Sequence, residues 1–209
     1  MKITIFGLFG LGPLAFLLMT PLTANAQEPQ VKIETTPLVD FSEQNERSHW
    51  MVVNDNVMGG RSKGSFKIEN SKLIFSGSTN TRGGGFSSIR TKPQKWATEE
   101  VEGLVVKVRG DGRTYKADLL TDNKMRGIPI AYRADFKTKK NVWMEVQIPF
   151  DSFTPTLFGS SMQGRTKKLD RKKIETIGFM IYDKKDGPFQ LEVDWVKTFK
   201  TSATKDDDD

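Results

Sequence analysis

The stretch NDNVMGGRSKGSF, residues 54–66, decides the fold class. With three glycines, an Asn-Asp-Asn triplet and two cations, it suits a phosphate cradle, a cation site or a bend. A phosphate cradle needs a glycine turn that opens a helix, because the helix N-terminus must face the anion. Here Gly59-Gly60 leads instead into Ser65-Phe66-Lys67-Ile68, which alternates as a strand. The second glycine run, GGGFSSIR (83–90), also continues as strand. Both runs therefore read as corners or bulges where glycine permits positive backbone angles. The nucleotide-binding reading loses its structural context.

Working outward, the dominant period is two. Leu104, Val106 and Val108 alternate with their neighbours, as do Ile128 to Phe136, Met144 to Ile148, Ile177 to Ile181, and Phe189 to Trp195. Turn signals separate these segments at Glu69-Asn70-Ser71, Arg109-Gly110-Asp111-Gly112, Lys139-Lys140-Asn141 and Asp186-Gly187-Pro188. No helical period lasts three turns. About ten short strands at this spacing predict an all-β fold, an antiparallel β-sandwich or jelly roll with one core.

The chain opens MKITIFGLFGLGPLAFLLMTPLTANAQ, an apolar run after one Lys that ends in Ala24-Asn25-Ala26. This reads as a signal peptide over 1–26, cleaved after Ala26, so the expected location is periplasmic or secreted, with no transmembrane helix in the mature chain. Residues 27–38, polar with two prolines, read as a linker, 39–200 as one domain, and 201–209 (TSATKDDDD) as an acidic disordered tail. There is no Cys, which removes disulfides, thiolate metal sites and Cys nucleophiles. Lys and Arg number 32 against 26 Asp and Glu, and much of the excess lies in RTKKLDRKK (165–173). That run is either a solvated turn or a patch for an acidic partner or anionic head groups. Outside the cytoplasm, nucleic acid is not an expected partner.

Catalytic sets are sparse. His49 is the single histidine and no Gly-x-Ser-x-Gly elbow exists, so a Ser-His-Asp triad or a multi-His metal site has little to stand on. Asp55, Asp111, Asp118 and Glu145 leave carboxylate chemistry open, since spacing says nothing of their separation. Asn54, Asp55 and Asn56 offer oxygen ligands for calcium, or simply a turn capped by its own side chains. The expectation is a protein that is not an enzyme, with no cofactor and no resident metal.

Taken together, Trp50, Asn54-Asp55-x-Val57-Met58-Gly59-Gly60-x-Ser62-x-Gly64, Gly84-Gly85-Phe86-Ser87-Ser88-Ile89-Arg90, Arg109-Gly110-Asp111-Gly112-Arg113-x-Tyr115, Trp143-x5-Pro149-Phe150-x2-Phe153 and Gly187-Pro188-Phe189-x-Leu191-x-Val193-x-Trp195 resemble the CIA30 family, the domain of complex I intermediate-associated protein 30. The resemblance runs in order through nearly all of 39–200. It implies a galactose-binding-like jelly roll, related in shape to carbohydrate-binding modules. It also implies an assembly-chaperone role without catalysis, as in the mitochondrial members; the secretory leader marks this chain as an exported, bacterial-type one. Fold carries over more directly than role.

Two functions follow. One is an exported binding or assembly-chaperone domain that holds a protein partner near the membrane. The other is a carbohydrate-binding module, in which Trp50, Trp143, Tyr132 or Tyr182 stacks on sugar rings. The candidate binding residues are Asn54, Asp55, Ser62, Arg90, Asp111, Arg113, Tyr115 and Trp143. The loops carrying them are expected to lock together through an ion pair of Asp55 or Asp111 with Arg90 or Arg113.

Overall fold

The computed structural model describes residues 31–42 and 49–203. Among these residues thirteen strands form two sheets. Sheet one runs β3 (Lys63–Glu69), β4 (Lys72–Thr79), β13 (Gly187–Ala203), β6 (Gly103–Gly110) and β9 (Trp143–Pro149), with β1 (Val31–Asp40) also paired to β13. Sheet two runs β11 (Ser160–Ser161), β10 (Thr154–Leu157), β8 (Ile128–Lys137), β7 (Thr114–Met125), β12 (Ile174–Ile181), β5 (Ser87–Thr91) and β2 (Trp50–Asn54). Every strand pair is antiparallel. Among the described residues no helix is long and apolar enough to cross a membrane.

The alternation builds the core. Leu73, Phe75, Val106, Val108, Leu191 and Val193 point inward from sheet one, and Ile89, Tyr115, Leu119, Tyr132, Ile177 and Phe179 meet them from sheet two. All twelve are at most 1% exposed, so two half-apolar sheets bury one shared layer. The Asn70-Ser71 corner has both residues at positive φ (51° and 55°), the geometry of a tight two-residue hairpin between β3 and β4.

Three expectations about order along the chain change. The expected linker, 27–38, is from Val31 onward an edge strand, β1, in register with the second half of β13. Its residues 32–37 are exposed, so backbone pairing rather than a buried stripe makes it a strand, and Pro37 sits where the register shifts. The expected tail begins inside β13, since Thr201 to Ala203 still pair with β1. Trp195 leaves the core: a bulge between Val193 and Trp195 flips the phase, putting Val196 inside and Trp195 half-exposed under Lys197, whose Nζ lies 4.2 Å from its ring. The expected leader and residues 204–209 lie outside the described residues.

Candidate functional site

The opening motif folds into a socket around Asp55. After β2 the chain turns through a 3-10 segment, Asp55–Met58, which ends at Gly59 with φ 83°. Asp55 is fully buried. Its carboxylate accepts from Ser62 N–H at 2.8 Å, Ser62 O–H at 2.7 Å, Gly85 N–H at 2.6 Å and Phe86 N–H at 3.3 Å. Burial pushes its pKa up, but the Ser62 hydroxyl and the three N–H donors outweigh this and hold it below 3.8. A β-carbon on Gly60 would lie 2.2 Å from Asp55 Cγ, and one on Gly84 2.4 Å from Asp55 Oδ2, so both glycine runs must lack side chains where they pass the carboxylate. Asn54 repeats the pattern beside it: its Oδ1 accepts from Gly64 N–H (3.0 Å) and Ser87 O–H (2.6 Å), and its Nδ2 donates to Gly64 O (3.1 Å). Donors aimed at both Asp55 oxygens make this the reverse of a calcium site, which needs those lone pairs.

The Arg109 to Tyr115 block forms a second socket, around Arg113. Its Nε and Nη2 grip Asp183 at 3.0 and 2.5 Å, Nη1 donates to Gly187 O and Pro188 O, and Nη2 also reaches Thr79 Oγ1 and Lys185 O. The Asp183 hydrogen bond raises the Arg113 pKa; for Asp183, burial acts upward but the guanidinium prevails and lowers it. Asp111 accepts from Arg113 N–H, Tyr115 O–H and Gln190 N–H. Tyr115 is fully buried, and burial followed by the Asp111 charge drives its pKa far up. The expected lock between loops exists with other partners: Asp55 makes no ion pair among the described residues, Arg113 takes Asp183, and Arg90 faces Asp118.

A different polar group lies on the face of sheet two that points away from the core. Asp118 stands opposite Arg133 in the β7–β8 pairing, and Gly178 stands opposite both Asp118 and Arg90. Arg133 Nε donates to Asp118 Oδ1 at 2.9 Å and its Nη1 to Thr156 Oγ1 at 2.9 Å. Arg90 Nη2 is 3.5 Å from Asp118 Oδ2, a looser contact. Two cations on one buried carboxylate leave an excess of one positive charge.

The remaining expected positions scatter. Trp50 and Tyr132 are core residues, the former stacked on Phe179 at 6.4 Å, so neither can meet a sugar. Trp143 lies half-exposed on the outside of sheet one beneath Arg109, 5.0 Å away. Glu145 faces the same side, opposite the side carrying Asp118, so those carboxylates do not converge. His49 is exposed. Sequence reasoning overlooked Asp183 and Arg133. Counting from the Arg126-Gly127 turn would set Asp118 against Asp135; a register shift between Leu120 and Lys124 gives it Arg133. Within the basic run, Lys173 pairs with Asp122 at 2.7 Å, whereas Arg165, Lys167, Lys168 and Lys172 are exposed and make no ion pair among the described residues.

The family model described as complex I intermediate-associated protein 30 (CIA30) matches residues 39–193. The mitochondrial complex I intermediate-associated protein 30 of Mus musculus is 28% identical over 187 residues, covering 78% of this chain and 56% of that protein. Its counterpart in Drosophila melanogaster is 29% identical over 187 residues, covering 78% and 62%. The chain thus spans somewhat over half the length of these curated relatives. Among solved structures, a family 11 carbohydrate-binding module of a Clostridium thermocellum cellulosomal cellulase superposes with a TM-score of 0.58 at 16% identity, covering 80% of this chain and 95% of the module. An agarase superposes at 0.57 and 10% identity, covering 82% of this chain and 25% of the enzyme. Such identities speak for the fold alone, an antiparallel β-sandwich of the jelly-roll kind. With the family model matching residues 39–193, about three quarters of its length and a span that includes both sockets, this chain belongs to the CIA30 family.

Proposed function

We propose that this protein is a non-enzymatic binding module of the assembly-factor type, exported to the cell envelope, where it holds a protein partner while a membrane complex is put together. Family membership over residues 39–193 carries the reading, since the relatives bear the name of an assembly-intermediate protein of complex I. The two sockets support it. Their polar groups are consumed by internal hydrogen bonds, so the socket residues maintain a scaffold. The unpaired cations Arg165, Lys167, Lys168 and Lys172 supply attraction for an acidic partner surface.

The test is in-cell cross-linking of the tagged chain followed by native electrophoresis of the membrane fraction. One recurrent complex, depleted in cells lacking the protein and weakened by reversing Arg165, Lys167 and Lys168 to Glu, is the expected result. Unchanged assembly of every membrane complex in the deletion strain would refute the assembly role. Fractionation of the same cells tests export independently.

A further inference from the structure

Between β9 and β10 the chain leaves sheet one for sheet two, crossing through the 3-10 segment Phe150–Ser152. Beside this crossing lies a cavity of about 920 Å³, within the range of about 300–1,000 Å³ typical of ligand pockets. It reaches down to three buried rings, Phe150, Phe153 and Phe199, and to half-buried Leu169 and Thr154. Gln163, Lys168, Arg171 and Asp151 also line it and are exposed, so they form its mouth. The cavity thus joins the apolar core to a charged surface.

One wall, residues 163–171, belongs to the basic run and is pinned to the body of the protein through its main chain. Tyr132 O–H donates to Lys167 O and Lys168 O at 3.1 and 3.4 Å, Thr98 O–H donates to Arg171 O at 2.5 Å, and Arg171 Nη1 donates to Val101 O at 2.9 Å. Tyr132 and Thr98 are themselves buried. The charges on this wall are left over: among the described residues Lys168 and Arg171 make no ion pair, and exposed Arg165, Lys167 and Lys172 stand beside them on the same run. Of the carboxylates in the lining, Glu102 accepts from the N–H and O–H of Thr201, which leaves Asp151 alone against two cations. A pinned main chain that carries unpaired cations is preorganised, because little further ordering is needed when a partner arrives.

The lining selects the occupant. A small anion would use the cations and leave the apolar base unfilled. A sugar finds no open ring face, since the three phenylalanines are at most 6% exposed. An acidic peptide segment with one large apolar side chain serves both parts: the side chain displaces water from Phe150, Phe153 and Leu169, while neighbouring carboxylates meet Lys168 and Arg171. Gln163 and Thr154, whose side chains make no hydrogen bond among the described residues, are at hand for the main-chain amides of such a segment.

We propose that this cavity docks the protein partner, through an acidic segment of the partner that carries one large apolar side chain. The proposal rests on the protein-partner reading and adds to it where the partner binds and what its contacting segment is made of. The experiment is fluorescence anisotropy of the whole protein with labelled peptides in which a central Trp, Phe or Leu is flanked by Asp and Glu. Matched peptides carry a central Ala, or Ser in place of the acids, and dodecanoate serves as a lipid probe. At least one acidic peptide with an apolar centre is expected to bind with a Kd of about 0.1 mM or tighter, and either matched change should weaken it by at least about tenfold. Gln163→Trp, which sets an indole at the mouth and removes no hydrogen bond made by the Gln163 side chain, should weaken binding by at least about tenfold with melting unchanged. Lys63→Glu, exposed in β3 of sheet one, should leave it unchanged. No binding by any acidic peptide, equal binding with a central Ala, full affinity in Gln163→Trp, or binding of dodecanoate alone would overturn the proposal. So would a concentration-dependent dimer that Gln163→Trp abolishes, since the occupant would then be a second copy of this chain. In cells the two readings separate. Gln163→Trp restoring assembly in the deletion strain as fully as the wild type does would refute the cavity and leave the protein-partner reading standing; assembly unharmed by the deletion would refute that reading, while peptide binding still decides the cavity.

Discussion

Arg113 and Arg90 are both mostly buried, and both face an aspartate, yet they end in opposite states. Arg113 distributes its donors over Asp183, Thr79 and three backbone carbonyls. Arg90 has one weak hydrogen bond and a loose contact with Asp118. The first arrangement is what a structural arginine needs, because a buried charge is tolerated when its hydrogen-bonding capacity is filled. The second leaves the Arg90 guanidinium with little to offset its burial. Within one chain, two arginines drawn from the same set of recognisable motifs thus differ: Arg113 is spent on holding the scaffold, whereas Arg90 keeps most of its donors unpaired among the described residues.

The largest effect that could break this contrast is expected at Arg113. Arg113→Ala strands Asp183, which is 6% exposed, and should cost about 4 kcal/mol in urea unfolding. A loss comparable to that of a surface substitution would remove the distinction between the two arginines. Asp55→Ala leaves the N–H groups of Ser62, Gly85 and Phe86 without their acceptor and should cost roughly 3 kcal/mol. Gly60→Ala, with its new β-carbon against the same carboxylate, should cost about 2 kcal/mol through overpacking; an unchanged melting temperature would show that the socket can widen.

The same carboxylate gives a pH signature. Since folding holds Asp55 below 3.8, its stabilisation is complete above that pH and is lost as pH falls through the lower folded value. Acid titration of stability should therefore be shallower below about pH 4 in Asp55→Asn than in the wild type, on top of a lower plateau at neutral pH. Equal slopes would mean that the carboxyl is not depressed. The smallest effect belongs to Arg90→Ala, expected to lower stability by less than about 1 kcal/mol, because Arg133 keeps hold of Asp118. A loss as large as that of Arg113→Ala would make Arg90 a structural residue and dissolve the comparison.

Particular residues show what could be read in advance. Val106, Val108, Tyr132, Phe179 and Leu191 were legible as core because alternation reports the face of a strand directly. The NDNVMGGRSKGSF corner was legible as a turn, but its reason was hidden. Gly60 and Gly84, 24 positions apart, are both required by the single carboxylate of Asp55, which no local pattern reveals. β1 was illegible because an exposed edge strand buries no stripe. Trp195 and the Asp118–Arg133 pair were misplaced or missed because one extra residue in β13 moves the following side chains to the other face, and two extra residues in β7 give Asp118 another partner.

The sequence by itself determined the all-β class, the two-layer core and the family, since these rest on periodicity and on motifs carried within short segments. Tertiary structure alone decided which polar groups are spent and which are left over. Hydrogen bonds such as Arg113 to Asp183 and Asp55 to Gly85 join residues 70 and 30 positions apart, and the unfilled pair of Arg90 and Asp118 exists only where β5, β12 and β7 lie side by side. Satisfaction of a buried charge depends on distance in space, and distance in space is set by the register of strands that the chain brings together from far apart.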